Sequence, residues 1–164
     1  MTIILKNKHT LKLDDFYFKC CIGKNGKTLK KKEGDLKTPR GVFKIEYLYF
    51  RKDRVKKPKT SLKCLSIDKN MGWCNDITSK RYYNKLIKIS DKIKHEKLMR
   101  RDHKYDLLIP IKYNYYAPAL GKGSCIFIHL TKNYKPTDGC IALNKKDFKI
   151  MLKLINKNTK IKII

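Results

Sequence analysis

The sequence predicts a mainly β single domain of 164 residues with one helix packed near its C-terminal end. Three observations carry that reading. Seven short segments rich in β-branched and aromatic residues are separated by turn-forming clusters, the pattern of strands. Only Phe148, Met151, Leu152 and Ile155 recur convincingly at i, i+3, i+4 and i+7, the spacing of a helix with one buried face. No internal repeat, low-complexity linker or shift in composition divides residues 1–164, and the length suits one core rather than two.

The start, MTIILKNKHTLKL, has three consecutive apolar residues and then alternates. It predicts a first strand or a hairpin through Asn7-Lys8, and it lacks the apolar run of about 7–15 residues that a signal peptide needs. YFKCCI (17–22) reads as a strand. GKNGKTLKKKEGDLKTPRG (23–41) is polar, glycine-bearing and highly charged, which predicts a long surface loop. GVFKIEYLYF (41–50) and LKCLSI (62–67) return to strand composition. A second, weaker helix is expected over Asp91 to Arg101. YDLLIPIKYN (105–114), SCIFIHL (124–130) and GCIAL (139–143) are again strand-like. Asn144 can cap the one strong helix, with Asp147 in its first turn, and Asn156 and Asn158 break it before TKIKII (159–164). No stretch approaches the ~18 apolar residues of a transmembrane span.

The chain carries 41 Lys+Arg against 14 Asp+Glu, a formal charge of +27. Such an excess attracts anionic polymers: nucleic acid, an acidic membrane surface or an anionic cell-wall polymer. Yet only six of the cations are arginine, the residue preferred for bidentate phosphate contacts, so no specific nucleic-acid partner is expected. An AT-rich coding sequence gives the same abundance of Lys, Asn and Ile without any partner. The six cysteines include an adjacent pair and no C-x-x-C, which fits buried thiols better than a disulfide scaffold.

The stretch SCIFIHLTKNYKPTDGCIAL (124–143) concentrates the chemistry. It supports three readings. As a zinc site, Cys125, His129 and Cys140 give C-x3-H-x10-C, which matches no common ligand spacing and lacks a fourth donor, although Cys125 and His129 would share one strand face. As structure, each of these residues alone can be core filling, and His9, His95 and His103 are expected to be hydrogen-bonded core or surface residues. As a nucleophile, Cys140 follows Gly139 in a tight turn leading into an apolar strand. Glycine lets successive N–H groups point at one spot, the geometry of an oxyanion hole. His129 ends the preceding apolar run, and Pro136 turns the intervening loop back, so neighbouring strands can bring imidazole and thiol together. An imidazole is the usual group that activates such a thiol.

The run IFIHL…PTDGCIAL resembles the histidine and cysteine motif of the YkuD-type L,D-transpeptidase catalytic domain, and in particular the short bacterial branch reading H…PT-x-GC-[IV]-A-L. IGKNGKTLKKKEGDLKTPRGVFKI (22–45) is similar to that family's G-x-x-G…EGD-x-x-TP-x-G-x-F segment. MGWCND (71–76), HEKLMRRDHKYDLLI (95–109) and the closing helix and strand follow in the same order, so the likeness spans nearly the whole chain. The resemblance implies a β-sandwich-like catalytic domain and a cysteine-dependent reaction on peptidoglycan stem peptides, with neither metal nor cofactor, in the cell envelope or periplasm. Cys140 would be the nucleophile, His129 the general base and acid, and Gly139 with the Cys140 N–H the oxyanion site. Thr137 and Asp138 stand where the wider family commonly has Ser-His, next to bound substrate. The His-to-Cys separation of 11 is short for the family, and Ala142-Leu143 stands where an arginine often follows.

Three other places divide between a plain and a functional role. Thr38-Pro39-Arg40-Gly41 is a turn into the next strand or a substrate contact. Trp73, the sole tryptophan, fills core or floors a cleft. Arg100, Arg101 and Asp102 form a solvated helix end or supply a cation for a stem-peptide carboxylate. The competing reading of the chain is a basic, non-catalytic module for nucleic acid or cell-wall polymer, with the Cys–His pair kept as core.

Overall fold

The computed structural model describes residues 1–164. Strands β1 (Thr2–Leu5), β2 (Thr10–Leu13) and β3 (Phe16–Cys21) come first, then the two-residue strands β4 (Lys27–Thr28) and β5 (Thr38–Pro39). Next are β6 (Gly41–Lys44), β7 (Tyr47–Phe50), β8 (Lys63–Ser66), β9 (Met71–Cys74), β10 (Leu86–Lys88) and β11 (His95–Lys97). The chain closes with β12 (Leu107–Pro110), β13 (Phe127–Leu130), β14 (Ile141–Leu143), helix α1 (Lys145–Leu154) and β15 (Lys160–Ile163).

Ten strands make one curled sheet in the order β6-β15-β1-β2-β3-β14-β13-β12-β7-β8. Period-2 alternation decides which side chains go inward. Leu5, Leu11 and Phe18 from one half of this sheet share a 26-residue core with Ile109, Ile128 and Ile141 from the other half. The two halves therefore face one another across a common interior, and the fold is the mainly β, sandwich-like one expected. Helix α1 adds Phe148, Met151, Leu152 and the flanking Ile155 to that interior. Its N-cap is as the sequence predicts: the Asn144 side chain accepts from the Asp147 N–H at 2.8 Å.

The opposite face of β7, β12 and β13 carries a second core of nine residues, among them Tyr49, Leu108, Phe127 and Cys140. The three-stranded sheet β10-β9-β11 lies over it and contributes Trp73. Trp73 is buried, its Nε1–H donating to Asn84 Oδ1 at 3.0 Å, so its role is core filling.

Two expectations need correction. Residues 91–101 form turns and strand β11 rather than a helix, with Glu96 opposite Trp73 in antiparallel register. Ile93 and Leu98 are five apart, so they never formed a helical stripe, and β9 offers a backbone edge that β11 satisfies. The segment 23–41 is not simply a surface loop either. Its ends meet in the parallel pair β4–β5, and Lys31 and Thr38 within it are buried.

Candidate active-site cleft

Strands β13 and β14 are parallel, with His129 paired to Ala142 and Ile128 to Ile141. In this register Phe127, His129, Cys140 and Ala142 share one face, while Ile128, Leu130, Ile141 and Leu143 point into the large core. His129 and Cys140 are diagonal neighbours on that face, a relation across which longer side chains reach one another. Both line a cleft of about 620 Å³ whose other walls include Glu96, Arg100, Tyr105 and Asp138. Neither His9, His95 nor His103 lines it.

The connection between the two strands sets the position of Cys140. Residues 131–140 must carry the chain back to the start of β13, and they are pinned on the way. The Thr137 N–H donates to Ile22 O at 2.9 Å and the Lys24 N–H to Thr137 O at 2.8 Å. Cys140 consequently lies level with Phe127, whose N–H donates to Cys140 Sγ at 3.4 Å. The thiol donates in turn to Cys125 O at 3.1 Å.

A carbonyl can only accept, so the thiol in that bond keeps its proton. Cys140 is 8% exposed. Burial, followed by the nearby Glu96 charge, holds its pKa well above the ordinary thiol range. His129 is equally enclosed, and burial pushes its pKa down to about 4 against the opposing effect of its bond to Leu130. That bond, from Nδ1–H to Leu130 O at 2.9 Å, fixes the tautomer and leaves the lone pair on Nε2. The group orienting His129 is thus a backbone carbonyl one residue on. Tyr105 packs edge-on against the imidazole with ring centroids 5.3 Å apart. The resting pair is neutral thiol and neutral imidazole, not thiolate and imidazolium.

The turn before Cys140 is tightly specified. Gly139 has φ of +143°, and a Cβ there would meet Lys37 O at 2.9 Å. Thr137 Oγ1 accepts from the Gly139 N–H at 3.2 Å and donates to Cys140 O at 2.6 Å. The Gly139 N–H and the Thr137 hydroxyl are therefore used within the turn, whereas the Cys140 N–H makes no hydrogen bond inside the protein. Asp138 is exposed on the cleft rim and forms no ion pair.

Several residues at the site were not legible as such. Tyr105 donates its hydroxyl proton to Glu96, and Arg100 lies 5.0 Å from the Tyr105 ring centroid and 3.8 Å from Glu96. Arg100 is no helix end: a bidentate pair of 2.9 and 2.7 Å to Asp102 holds it on the cleft wall. Thr38, buried completely, donates to Gly139 O at 2.9 Å, so the turn it opens is also part of the frame of the site. Cys125 lies outside β13 with a left-handed φ of +54°, so strand alternation does not pair it with His129. No three His, Cys, Asp or Glu side chains gather into a group able to hold a metal ion.

A cysteine beside Gly139 and a histidine with a free Nε2, in one cleft of a curled β-sheet, define a candidate cysteine acyltransferase site. Over residues 2–163 the chain matches the L,D-transpeptidase catalytic domain family, YkuD, and it belongs to that family. No individual curated protein and no solved structure gives a significant match.

Proposed function

We propose that residues 1–164 form one catalytic unit, a cysteine-dependent L,D-transpeptidase acting on peptidoglycan stem peptides in the cell envelope. The carrying observation is that Cys140 and His129 share one strand face and one cleft, in a chain matching the family almost end to end.

The first step begins from the neutral pair. As the carbonyl of the third, L-configured stem residue approaches, His129 Nε2 takes the thiol proton and Cys140 Sγ bonds to the carbonyl carbon. Proton transfer coupled to attack removes the need for a standing thiolate in a buried site. Negative charge moves to the carbonyl oxygen, for which the unpaired Cys140 N–H is the available backbone donor. Collapse breaks the bond to the terminal D-alanine, whose amine leaves with the proton held by the imidazolium. The side-chain amine of a neighbouring stem then attacks the thioester carbon, His129 takes its proton and returns it to Cys140 Sγ as the C–S bond breaks, and a 3→3 crosslink results. Water as acceptor would give L,D-carboxypeptidase action.

The cleft suits an anionic peptide: six cationic and four carboxylate side chains line it. The test is incubation with purified muropeptides followed by mass analysis. Crosslinked or shortened stems are expected from the wild type and not from Cys140→Ala; no product from the folded wild type would sink the reading.

A further inference from the structure

We propose that Thr38 is a positioning residue for acyl transfer, holding the Gly139–Cys140 peptide so that the Cys140 N–H faces the developing oxyanion; this rests on Cys140 being the acyl-accepting nucleophile. A trans peptide is planar, with its C=O and N–H pointing in opposite directions. Whatever grips Gly139 O therefore aims the Cys140 N–H. The grip is the Thr38 hydroxyl at 2.9 Å.

The direction of that hydroxyl is itself determined. Gly23 N–H donates to Thr38 Oγ1 at 3.0 Å, so the hydroxyl proton is turned to Gly139 O. Thr38 is 0% exposed, leaving no access for a water to replace it. Its backbone is anchored too, the Thr38 N–H donating to Gly26 O at 2.8 Å. Close backbone packing explains the glycine upstream: a Cβ on Gly23 would meet Leu36 O at 2.6 Å and Thr38 N at 3.0 Å. Gly139 has no side chain to restrict its backbone, and its φ of +143° is one few other residues adopt, so an outside hold fixes its peptide. Segment 23–38 thus braces the nucleophile turn through the Thr38 hydroxyl, while its Lys31, Glu33 and Leu36 line the cleft itself.

Two reactions of Cys140 separate this role from general damage. Acylation by a 4-nitrophenyl ester forms the S–C bond, passes through an oxyanion, and breaks the C–O bond to release 4-nitrophenolate, with the thiol proton going to His129. Alkylation by iodoacetamide forms an S–C bond as iodide leaves, and no oxyanion develops. Thr38→Val keeps the shape but loses the hydroxyl. It is expected to slow Cys140 acylation roughly 10–100-fold, less than the 10²–10³ typical of deleting a donor outright. Alkylation of Cys140, read by mass spectrometry, is expected to proceed at the wild-type rate, and Thr38→Ser to recover most of the acylation. If Thr38→Val does not fold, Thr38→Ala, which also lacks the hydroxyl and adds no bulk, is expected to give the same selective loss. Equal acylation by a folded variant and the wild type, or acylation and alkylation falling together, would overturn the proposal. Wild-type protein that acylates with the ester but never yields a muropeptide product would sink the transpeptidase reading alone. Absence of any Cys140 acyl adduct would overturn both.

Discussion

At the scale of single residues, His129 and Cys140 are set apart from ordinary surface groups by burial rather than by charge pairing. A preformed thiolate–imidazolium pair would give Cys140 alkylation a plateau starting in mildly acidic solution. With the thiol held above its ordinary range and His129 at about 4, the alkylation rate is instead expected to climb steadily through alkaline pH. A flat profile across neutral pH would contradict the neutral resting pair. The same histidine makes a prediction about stability. The unfolded chain binds a proton on His129 near pH 6.5, whereas the folded protein refuses it until about 4. Between those values the unfolded state holds more protons, so stability falls as pH drops and the loss levels off below about 4. The window corresponds to about 3 kcal/mol at most. Urea titrations over that range are expected to show a shallower acid loss for His129→Gln than for the wild type, and parallel curves would place the titration elsewhere.

At the scale of elements, α1 and the strands around the site behave differently under substitution because different physics holds them. Asn144→Ala removes the cap bond at the helix start and the Nδ2 donations to Tyr134 and Asp147, and is expected to cost about 1–2 kcal/mol, with acyl transfer left intact in the surviving folded protein. Gly139→Ala asks a Cβ to enter a left-handed turn 2.9 Å from Lys37 O, so strain of about 1–3 kcal/mol is expected together with a severe loss of turnover. Thermal melts paired with rates distinguish the two, and an active Gly139→Ala would contradict the account of the turn. The contrast also shows what a sequence reveals. Asn144, Asp147 and the 148–155 spacing act over one or two helical turns, so α1 could be read directly. That Cys140 and His129 would meet in one cleft could be read from local turn chemistry and strand alternation. Thr38 to Gly139 and β11 to β9 are joined across long separations, and Tyr105 meets Glu96 across an irregular stretch, so no local pattern marks such partners. Even the environment of Cys140 eluded the local view. Its neighbours Cys125 and Phe127 come from another strand and its approach, and they bury a turn whose own residues do not show it.

At the scale of the whole molecule the question is what the charge of +27 does. Near the chemistry the excess is modest, since six cations and four carboxylates line the cleft. A second cavity of about 740 Å³ is bordered by Lys44, Lys63, Lys157 and Lys160, with neither Cys140 nor His129 among its walls. The field of an exposed charge falls off over about 8 Å at physiological salt, so lysines outside the catalytic cleft contribute little at Cys140. Focusing by charged clefts can raise association rates roughly 10–10³-fold, and the small local excess places this cleft at the lower end of that range. Added salt should therefore lower kcat/KM for muropeptides several-fold through capture of the carboxylate-rich stem, while kcat stays nearly flat because the bound geometry is set by backbone and burial. Duplex DNA should bind only weakly, with a steep salt slope and no sequence preference, as diffuse lysine charge dictates. Initial rates over a salt series, run beside a DNA-binding titration in the same buffers, check both expectations. Nanomolar, sequence-selective DNA binding without muropeptide product would assign the charge to a nucleic-acid module and leave Cys140 and His129 as core.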